Sequence, residues 1–167
     1  SEGKRVLNLY GYTGAFTCYA ARGGAAETFT IDQSGTYLDW AKENLELNGL
    51  HAARHRLLRA EAKEWLEAAR ERGELFDVIV LDPPSRSTLG GFRGGNFDIL
   101  RDHAPLLDVT SELLAPGGQL VFSTNHQRFE LRWRAASELH VEEVTRRTVP
   151  EDYRNRRVHR CWLIQRP

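Results

Sequence analysis

The side chains best suited to chemistry in this sequence come directly after runs of apolar residues. The run FDVIVL, which is typical of a strand buried on both faces, is followed by Asp82-Pro83-Pro84-Ser85. Proline has no backbone N–H to donate to a sheet, so the two prolines end the strand and stiffen the chain after it. Four other apolar runs are each followed by a set of turn-forming or polar residues. These four sets are Gly11 with Gly14; Asp32; Ala60-Glu61-Ala62; and Ser123-Thr124-Asn125.

Three of these groups have the chemistry of a nucleoside site. Gly11 and Gly14 permit a tight turn, and the helix after them presents free N–H groups to an anion. Asp32 lies twenty-one residues after Gly11, where a carboxylate can accept hydrogen bonds from both ribose hydroxyls. Glu61 can accept from an adenine amino group while the Ala62 N–H donates to the ring. Each residue alone is also typical of a turn or a helix cap, but together they predict a site for a nucleoside with a carboxylate or amine tail.

The same spacings argue against two other classes of site. The first loop reads G-x-x-G rather than the G-x-G-x-x-G of nicotinamide enzymes, and no catalytic dyad accompanies it. Cys18 and Cys161 form neither a metal spacing nor a disulfide framework. We therefore expect no metal and no polyphosphate loop, and a reducing, cytoplasmic location.

The elements that must position these groups alternate between strand and helix. A fold with helices between the strands is expected to have right-handed βαβ crossovers, so that the carboxyl ends of the strands meet at one edge. We predict an α/β, Rossmann-like, seven-stranded and mostly parallel sheet with an antiparallel C-terminal hairpin and helices on both faces. The expected strands are residues 5–10, 26–32, 53–60, 76–81, 119–124, 140–148 and 157–165, and the expected helices 14–24, 35–50, 61–73, 97–118 and 128–139.

Composition agrees with one domain over residues 1–167 and gives a weak nucleic-acid signal. No apolar run approaches the roughly 20 residues that span a bilayer, so no membrane partner is expected. Net charge is zero, but residues 126–167 contain ten Arg, no Lys and six acidic residues, an excess of four positive charges. Clustered arginines with interleaved aromatic residues are typical of a phosphate-contacting surface, although a solvated face has the same composition. The absence of Met and the early first strand suggest a piece of a longer multidomain chain.

The motifs resemble those of class I, Rossmann-like S-adenosylmethionine-dependent methyltransferases. "VLNLYGYTG", "TIDQSGTYLDWAKENLELNGL", "VLDPPSRS", "RDHAPLL" and "YRNRRVHRCWLI" together are similar to the C-terminal, guanine-N7 half of the bifunctional bacterial 23S rRNA large subunit methyltransferases K/L. The resemblance covers nearly the whole chain. It implies S-adenosylmethionine as cofactor, N7 of a guanine in 23S ribosomal RNA as methyl acceptor, and linked RNA-binding domains outside this chain.

The resemblance also implies a role for each motif residue. Asp82 would anchor or polarise the base and border the cofactor, Pro83 and Pro84 would stiffen the loop, and Ser85 would hydrogen-bond the base. The cofactor contacts would come from Tyr12, Thr13, Gly14, Asp32, Glu61, Ala62 and Asp82, and the RNA contacts from Arg86, Phe92, Arg93, Arg154, Arg156 and Arg157, with Phe92 stacking on the flipped base.

Two departures from related families bear on the reaction. Cytosine-C5 enzymes related to this class carry a nucleophilic Cys after the fifth strand, where this chain has Ser123-Thr124-Asn125, which disfavours covalent cytosine chemistry. Glu61 replaces a more usual Asp. The alternatives that remain are methylation of an exocyclic guanine amine, cytosine C5 of rRNA or a small molecule, a nicotinamide dehydrogenase, and a non-catalytic cofactor-binding or RNA-docking module.

Overall fold

The computed structural model describes residues 1–50, 52–92, 95–149, 151–153 and 158–167. Its helices are α1 (Ala15–Arg22), α2 (Gly35–Leu47), α3 (Ala62–Glu71), α4 (Ile99–Glu112) and α5 (Thr145–Thr148), with a 3₁₀ turn at Ala52–Arg54. Its strands are β1 (Arg5–Leu9), β2 (Glu27–Asp32), β3 (His55–Arg59), β4 (Phe76–Leu81), β5 (Arg86–Gly90), β6 (Asn96–Asp98), β7 (Leu114–Thr124), β8 (His140–Glu143) and β9 (Arg160–Gln165). None of the helices described is long and apolar enough to cross a membrane.

Seven of the strands form one sheet in the order β3-β2-β1-β4-β7-β9-β8. The first five strands in this order pair in parallel, whereas β9 pairs antiparallel with both β7 and β8. In the parallel register Leu9 lies between Ile31 and Leu81, and Leu81 is paired with Phe122. The carboxyl ends of β1, β2, β3, β4 and β7 therefore lie at one edge, and the predicted fold is confirmed.

The main core lies between this sheet and helices α3 and α4. Leu7 and Leu9 of β1 belong to it together with Leu66 of α3 and Leu106 of α4. Because successive strand residues face opposite sides, Val6 points to the other face, where it packs with Ala20 of α1. Helices therefore cover both faces of the sheet, as predicted.

Strand β4 departs from the prediction of burial on both faces. Ile79 and Leu81 are fully buried on the side of α3 and α4, but Val78 and Val80 are only half-buried on the other side. On that other side the helices α1 and α2 contact β1, β2 and β3, so β4 lies beside them rather than beneath them.

The helix predicted over residues 128–139 is wrong, because residues 129–136 have no regular secondary structure and turns lie at 127–128 and 137–138. Phe129 is fully buried, and Leu131 and Trp133 also pack against the core. Apolar residues at every second position suit an extended chain with one buried face. The backbone N–H of Arg132 donates to Nε2 of buried His103 on α4, at 3.1 Å, which fixes the segment against that helix.

Three smaller differences concern the ends of elements. The segment between the predicted strand 76–81 and the predicted helix 97–118 contains the hairpin β5–β6, anchored where Ser85 O accepts from Ile99 N at 3.1 Å. Helix α4 ends at Glu112 rather than near residue 118, since the Pro-Gly-Gly segment belongs to β7, which begins at Leu114. The strand predicted over 140–148 ends at Glu143 and is followed by the single turn of α5.

Candidate functional site

A cavity of about 590 Å³ lies at the edge where the parallel strands end. Its walls come from the segments that follow β1, β2, β3, β4 and β7, together with the hairpin strand β5. The lining residues are Tyr10, Tyr12, Ile31, Asp32, Gln33, Tyr37, Ala60, Glu61, Ala62, Asp82, Pro83, Pro84, Arg86, Ser87, Thr88 and Asn125. The five polar strand ends that the sequence predicted to converge therefore meet around one space.

The loop after β1 is strained and tightly packed. Tyr10 and Tyr12 adopt positive φ values of 56° and 48°, a region that side chains other than glycine rarely occupy. A Cβ on Gly11, between them, would overlap the side chain of Thr30 on β2. Thr30 is held in place because its hydroxyl hydrogen-bonds the hydroxyl of Thr17 on α1 at 2.6 Å, in the buried space between helix and sheet. This packing explains why the loop needs a glycine at position 11.

Asp32 organises the two loops on either side of it. Its Oδ2 accepts from the backbone N–H of Tyr12 at 3.0 Å, and its Oδ1 accepts from that of Ser34 at 2.8 Å. A carboxylate oxygen has two lone-pair directions, so each Asp32 oxygen keeps capacity for a further donor such as a ribose hydroxyl. The residue lines the cavity and is tied to β1 and α2 at the same time.

Glu61 caps helix α3 at the edge of the cavity. Its two carboxylate oxygens accept from the backbone N–H groups of Lys63 and Glu64, at 3.1 and 3.0 Å. Gly90 of β5 lies close above it, since a Cβ there would come within 2.5 Å of Glu61 Oε1. Burial, and then the Glu61 charge, raise the pKa of Tyr10 well above its usual range, so this phenol stays protonated as it lines the cavity. The helix cap and the proposed adenine contact are compatible, because each oxygen retains a free lone pair.

The loops after β4 and β7 are joined by two side-chain hydrogen bonds. Ser123 Oγ donates to Asp82 Oδ1 at 2.6 Å, and Ser85 Oγ donates to Asn125 Oδ1 at 2.7 Å. Since β4 and β7 are neighbours in parallel register, the residues after Leu81 and Phe122 lie side by side. The Asp-Pro-Pro-Ser loop is thereby fixed at both of its ends.

The hairpin β5–β6 closes one side of the cavity. Gln33, after β2, donates from Nε2 to Ser87 Oγ on β5 at 3.4 Å, which links the end of β2 to the hairpin. The ring of Tyr10 packs against Phe97 of β6, with centroids 6.1 Å apart. Arg86 lies on the same hairpin with its side chain 82% exposed, paired loosely with Asp98 at 3.4 Å. The hairpin therefore contacts the residues that follow β1 and β2.

Some predicted site residues lie outside the cavity wall. Thr13 and Gly14 hold the first loop instead: Asn44 Nδ2 donates to Thr13 O at 2.9 Å, and Gly14 packs against Ala41 of α2. Phe92 is partly buried against the core, with the Lys63 ammonium 5.4 Å from its ring centre. Stacking of Phe92 on a base stays a prediction, as do contacts by Arg93, Arg154, Arg156 and Arg157, which lie outside the described residues.

Other lining residues were missed by sequence reasoning. Tyr10, Gln33, Tyr37 and Thr88 all line the cavity. Tyr10 and Gln33 immediately follow the ends of β1 and β2. The rule that ligands bind at the carboxyl ends of parallel strands, which predicts Asp32, therefore applies equally to them. Tyr37 is half a turn into α2, where its ring meets that of Tyr12 edge-on at 4.5 Å, and no spacing rule in the sequence indicated this contact.

The thiols are buried in the core. Cys18 and Cys161 are free and buried, and burial raises the pKa of both, so both remain protonated thiols near neutral pH. Cys161 pairs with Ser123 in the sheet, and the nearby Asp82 charge adds to the rise in its pKa. A protonated, 3% exposed thiol is a poor nucleophile.

The residues present fit a nucleoside cofactor. Ile31, Ala60 and Pro84 provide apolar walls, while the carboxylates of Asp32 and Glu61 provide acceptors at adjacent strand ends. These acceptors, at the end of a β3-β2-β1-β4 parallel sheet with the antiparallel strand β9 beside β7, are typical of the Rossmann-like methyltransferase class.

The chain belongs to the S-adenosylmethionine-dependent methyltransferase family whose model matches residues 1–158. It is 48% identical over 165 residues to the ribosomal RNA large subunit methyltransferase K of Neisseria meningitidis, covering 99% of this chain and 46% of that protein. It is 46% identical over 168 residues to the methyltransferase K/L of Allochromatium vinosum, covering 100% of this chain and 23% of that protein. The resemblance to K/L enzymes predicted from the motifs is confirmed, and the chain spans less than half the length of these curated relatives.

Solved structures agree with this fold. The protein SMU.776, solved in complex with SAH, superposes with a TM-score of 0.82 at 24% identity, covering 98% of this chain and 45% of that one. At this identity the likeness concerns the fold.

Proposed function

We propose that this chain transfers a methyl group from S-adenosylmethionine to N7 of a guanine in 23S ribosomal RNA. The observation that carries the proposal is the pair of hydrogen bonds joining the loops after β4 and β7, which fixes Asp82 and Asn125 at the cavity without a reactive thiol. The names of the K and K/L relatives support an rRNA substrate. Such a substrate would place the protein in the cytoplasm.

The cofactor would be held by the ends of the first three strands. Asp32 would accept from the ribose hydroxyls, Glu61 and the Ala62 N–H would face the adenine, and Tyr12, Thr13 and Gly14 would shape the pocket for the methionine end. When bound, the cofactor supplies an electrophilic methyl on its sulfonium. Tyr10, kept protonated, adds a neutral wall beside Glu61.

The work of the chain's own residues at the acceptor is positioning. Guanine N7 has an in-plane lone pair and no proton, so its methylation requires alignment rather than a general base. The ring becomes positively charged as it is methylated, and the Asp82 carboxylate at the cavity favours that charge. Because the major groove of A-form RNA is too deep and narrow to admit side chains, the guanine must be unpaired or flipped.

The alternatives differ in what they require from the site. Cytosine-C5 methylation needs a thiolate, whereas Cys161 is buried and its raised pKa keeps it protonated. Methylation of an exocyclic guanine amine requires a proton to be removed, and Asp82 would have to accept it. A dehydrogenase would bind a nicotinamide cofactor, and a docking module would bind RNA without turnover.

The test is methyl transfer to protein-free 23S rRNA followed by mass mapping, with a second transcript in which 7-deazaguanosine replaces guanosine. Loss of N7 by this replacement should abolish the product, while an amine target would still be methylated. A methylcytosine product would refute the proposal. The Neisseria meningitidis relative serves as a longer positive control, because this chain spans 46% of it.

Two variants separate the roles of the residues. Asp32→Ala should weaken S-adenosylmethionine binding, measured by calorimetry, about 10-fold or more, as expected for loss of hydrogen bonds from a carboxylate. Asp82→Ala should leave that binding nearly unchanged and reduce methyl transfer. NAD binding in the same assay would favour the dehydrogenase, and full RNA binding with no methyl transfer by the unmodified chain would favour the docking module.

The RNA contacts are proposed from charge. Arg86 is exposed on the hairpin beside the cavity, and replacing it with Ala should lower RNA affinity and reduce the dependence of binding on salt. The same measurement on Arg93, Arg154, Arg156 and Arg157 tests each of them separately, with Phe92→Leu testing a stacking role.

A further inference from the structure

The Asn125 side chain is held in one orientation by Ser85. Ser85 Oγ donates its proton to Asn125 Oδ1 at 2.7 Å, and the Ser85 carbonyl is itself fixed by the Ile99 N–H at 3.1 Å. With Oδ1 turned toward Ser85, the Nδ2 group and its two N–H donors point away from that hydroxyl. Asn125 is exposed and lines the cavity, so these donors are available to a ligand there.

Ser85 is therefore less able to donate a hydrogen bond to a base. A serine hydroxyl has a single proton, and here that proton is used within the protein. The base contact expected of Ser85 from sequence therefore passes to the residue that Ser85 orients.

Asp82 provides the complementary group next to Asn125. Its Oδ1 accepts from Ser123, and within the part of the chain that the structure describes no hydrogen bond occupies its Oδ2. The cavity thus presents a donor at the end of β7 and an acceptor at the end of the neighbouring β4.

A donor beside an acceptor separates guanine and uracil from adenine and cytosine. Uracil presents O4 next to N3–H in the same order as guanine, but it has no N7 to methylate. Guanine presents O6, an acceptor, next to N1–H, a donor, whereas adenine presents a donor amine next to an acceptor nitrogen, and cytosine does the same. O6 is also the neighbour of N7 on the guanine ring. A group that holds O6 therefore also sets the position of N7.

We propose that Asn125 is a specificity-determining residue that donates from Nδ2 to guanine O6, while Asp82 accepts from N1–H. This inference rests on the proposed function, since it presumes that a guanine enters the cavity. A donor role for Nδ2 explains why Asn125, directly after β7, is an amide whose oxygen is held by Ser85.

The decisive variant is Asn125→Asp. It keeps the size of the side chain and the acceptor for Ser85, but it replaces the donor with a carboxylate oxygen that repels O6. We expect kcat/KM for 23S rRNA to fall about 100-fold, near the upper end of the discrimination of one good base contact. S-adenosylmethionine affinity and the melting temperature should stay at their unmodified values.

Two controls make the result specific. Asn48→Asp introduces the same change at the end of α2, where the Asn48 side chain donates to Asn44 O of its own helix at 2.8 Å, and it should leave kcat/KM unchanged. Asn125→Ala removes the donor without adding a charge and should cause a smaller loss, about 10-fold.

RNA containing 6-thioguanosine completes the test, because sulfur is a weaker acceptor than oxygen. The substitution should slow the unmodified protein and have no added effect on Asn125→Ala. The inference is overturned if Asn125→Asp retains activity within about 3-fold, or if the thio and Asn125→Ala effects multiply. Failure of the proposed function looks different: the unmodified protein would then give no product that 7-deazaguanosine abolishes.

Discussion

Replacing Gly11 with Ala should destabilise the protein by overpacking the space between β1 and β2. The added Cβ would overlap Thr30 Cγ2 by more than about 1 Å relative to ordinary carbon contact near 3.5 Å, and would lie 3.3 Å from Asn8 Nδ2. Thr30 cannot rotate away cheaply, because its hydroxyl is bonded to Thr17 at 2.6 Å and the residue is fully buried. The Gly11 backbone is held as well, since its N–H donates to Ile31 O at 3.0 Å.

The expected cost of Gly11→Ala is about 3 kcal/mol, at the upper end of the range for an inserted methyl group in a packed core. The clash is with one methyl group, so Thr30→Ser should relieve it while keeping the hydroxyl that bonds Thr17. Thr30→Ser alone should cost about 1 kcal/mol for the lost methyl group. The double variant should then be destabilised by only about 1 to 2 kcal/mol, a favourable coupling of about 2 to 3 kcal/mol.

Urea denaturation of the four proteins measures this coupling directly. Calorimetric titration with S-adenosylmethionine should follow the same order, because the displaced loop borders the cavity through Tyr10 and Tyr12. Additive costs in the double variant would show that the Thr30 methyl group is not what requires glycine at position 11, and the packing argument would be refuted.

Three further predictions concern other parts of the fold. Gly90→Ala should weaken S-adenosylmethionine binding in calorimetry more than Gly95→Ala. Both glycines have positive φ, but a Cβ at position 90 would meet Glu61 whereas a Cβ at position 95 would meet nothing within 4 Å. Equal effects of the two substitutions would contradict the contact with Glu61. The backbone N–H of Arg5 donates to the Asp77 carboxylate, and this bond is the main cause of the lowered pKa of Asp77. The ionised carboxylate therefore stabilises the fold above the ordinary carboxyl pKa, and this contribution is lost as the pH falls. Asp77→Asn should therefore lower the urea midpoint near pH 6 and flatten its decline toward pH 3, and an unchanged decline would contradict this. His103→Phe should cost about 1 to 3 kcal/mol and expose residues 128–134 to trypsin, because it removes the acceptor for a backbone N–H; unchanged cleavage would contradict that role.

The sheet and the edge that carries the site were predictable because their signals are local. Apolar runs such as VLNL and VIVL, separated by helical spacing and closed by Gly23-Gly24 or Asn48-Gly49, mark the elements in this sequence. Parallel pairing then follows from the crossovers, and with it the meeting of the strand ends. Asp32, Glu61 and Asp82 could be found in this way because each is the first polar side chain at such an end.

Contacts between distant segments could not be predicted in the same way. The run FELRWR alternates apolar and charged residues, a pattern typical of an extended chain, yet we predict a helix over residues 128–139. His103, 29 residues earlier, holds this segment, because its Nε2 accepts from the Arg132 backbone N–H. The bonds Ser123–Asp82 and Ser85–Asn125 likewise span 41 and 40 residues, so the motif DPPS alone does not reveal that its serine orients an asparagine.

The hairpin β5–β6 connects the two halves of the site. On the side proposed for the cofactor, Gln33 bonds Ser87 and Gly90 lies against Glu61. On the side proposed for the base, the hairpin begins directly after Ser85, which holds Asn125. A displacement of β5 that loosened the contact with Glu61 would therefore also move the serine that orients Asn125. The strained loop at Tyr10 packs on Phe97 and so connects the same hairpin to β1. Because one short segment, residues 85–90, makes both sets of contacts, the groups proposed to bind the cofactor and the base are mechanically coupled through it.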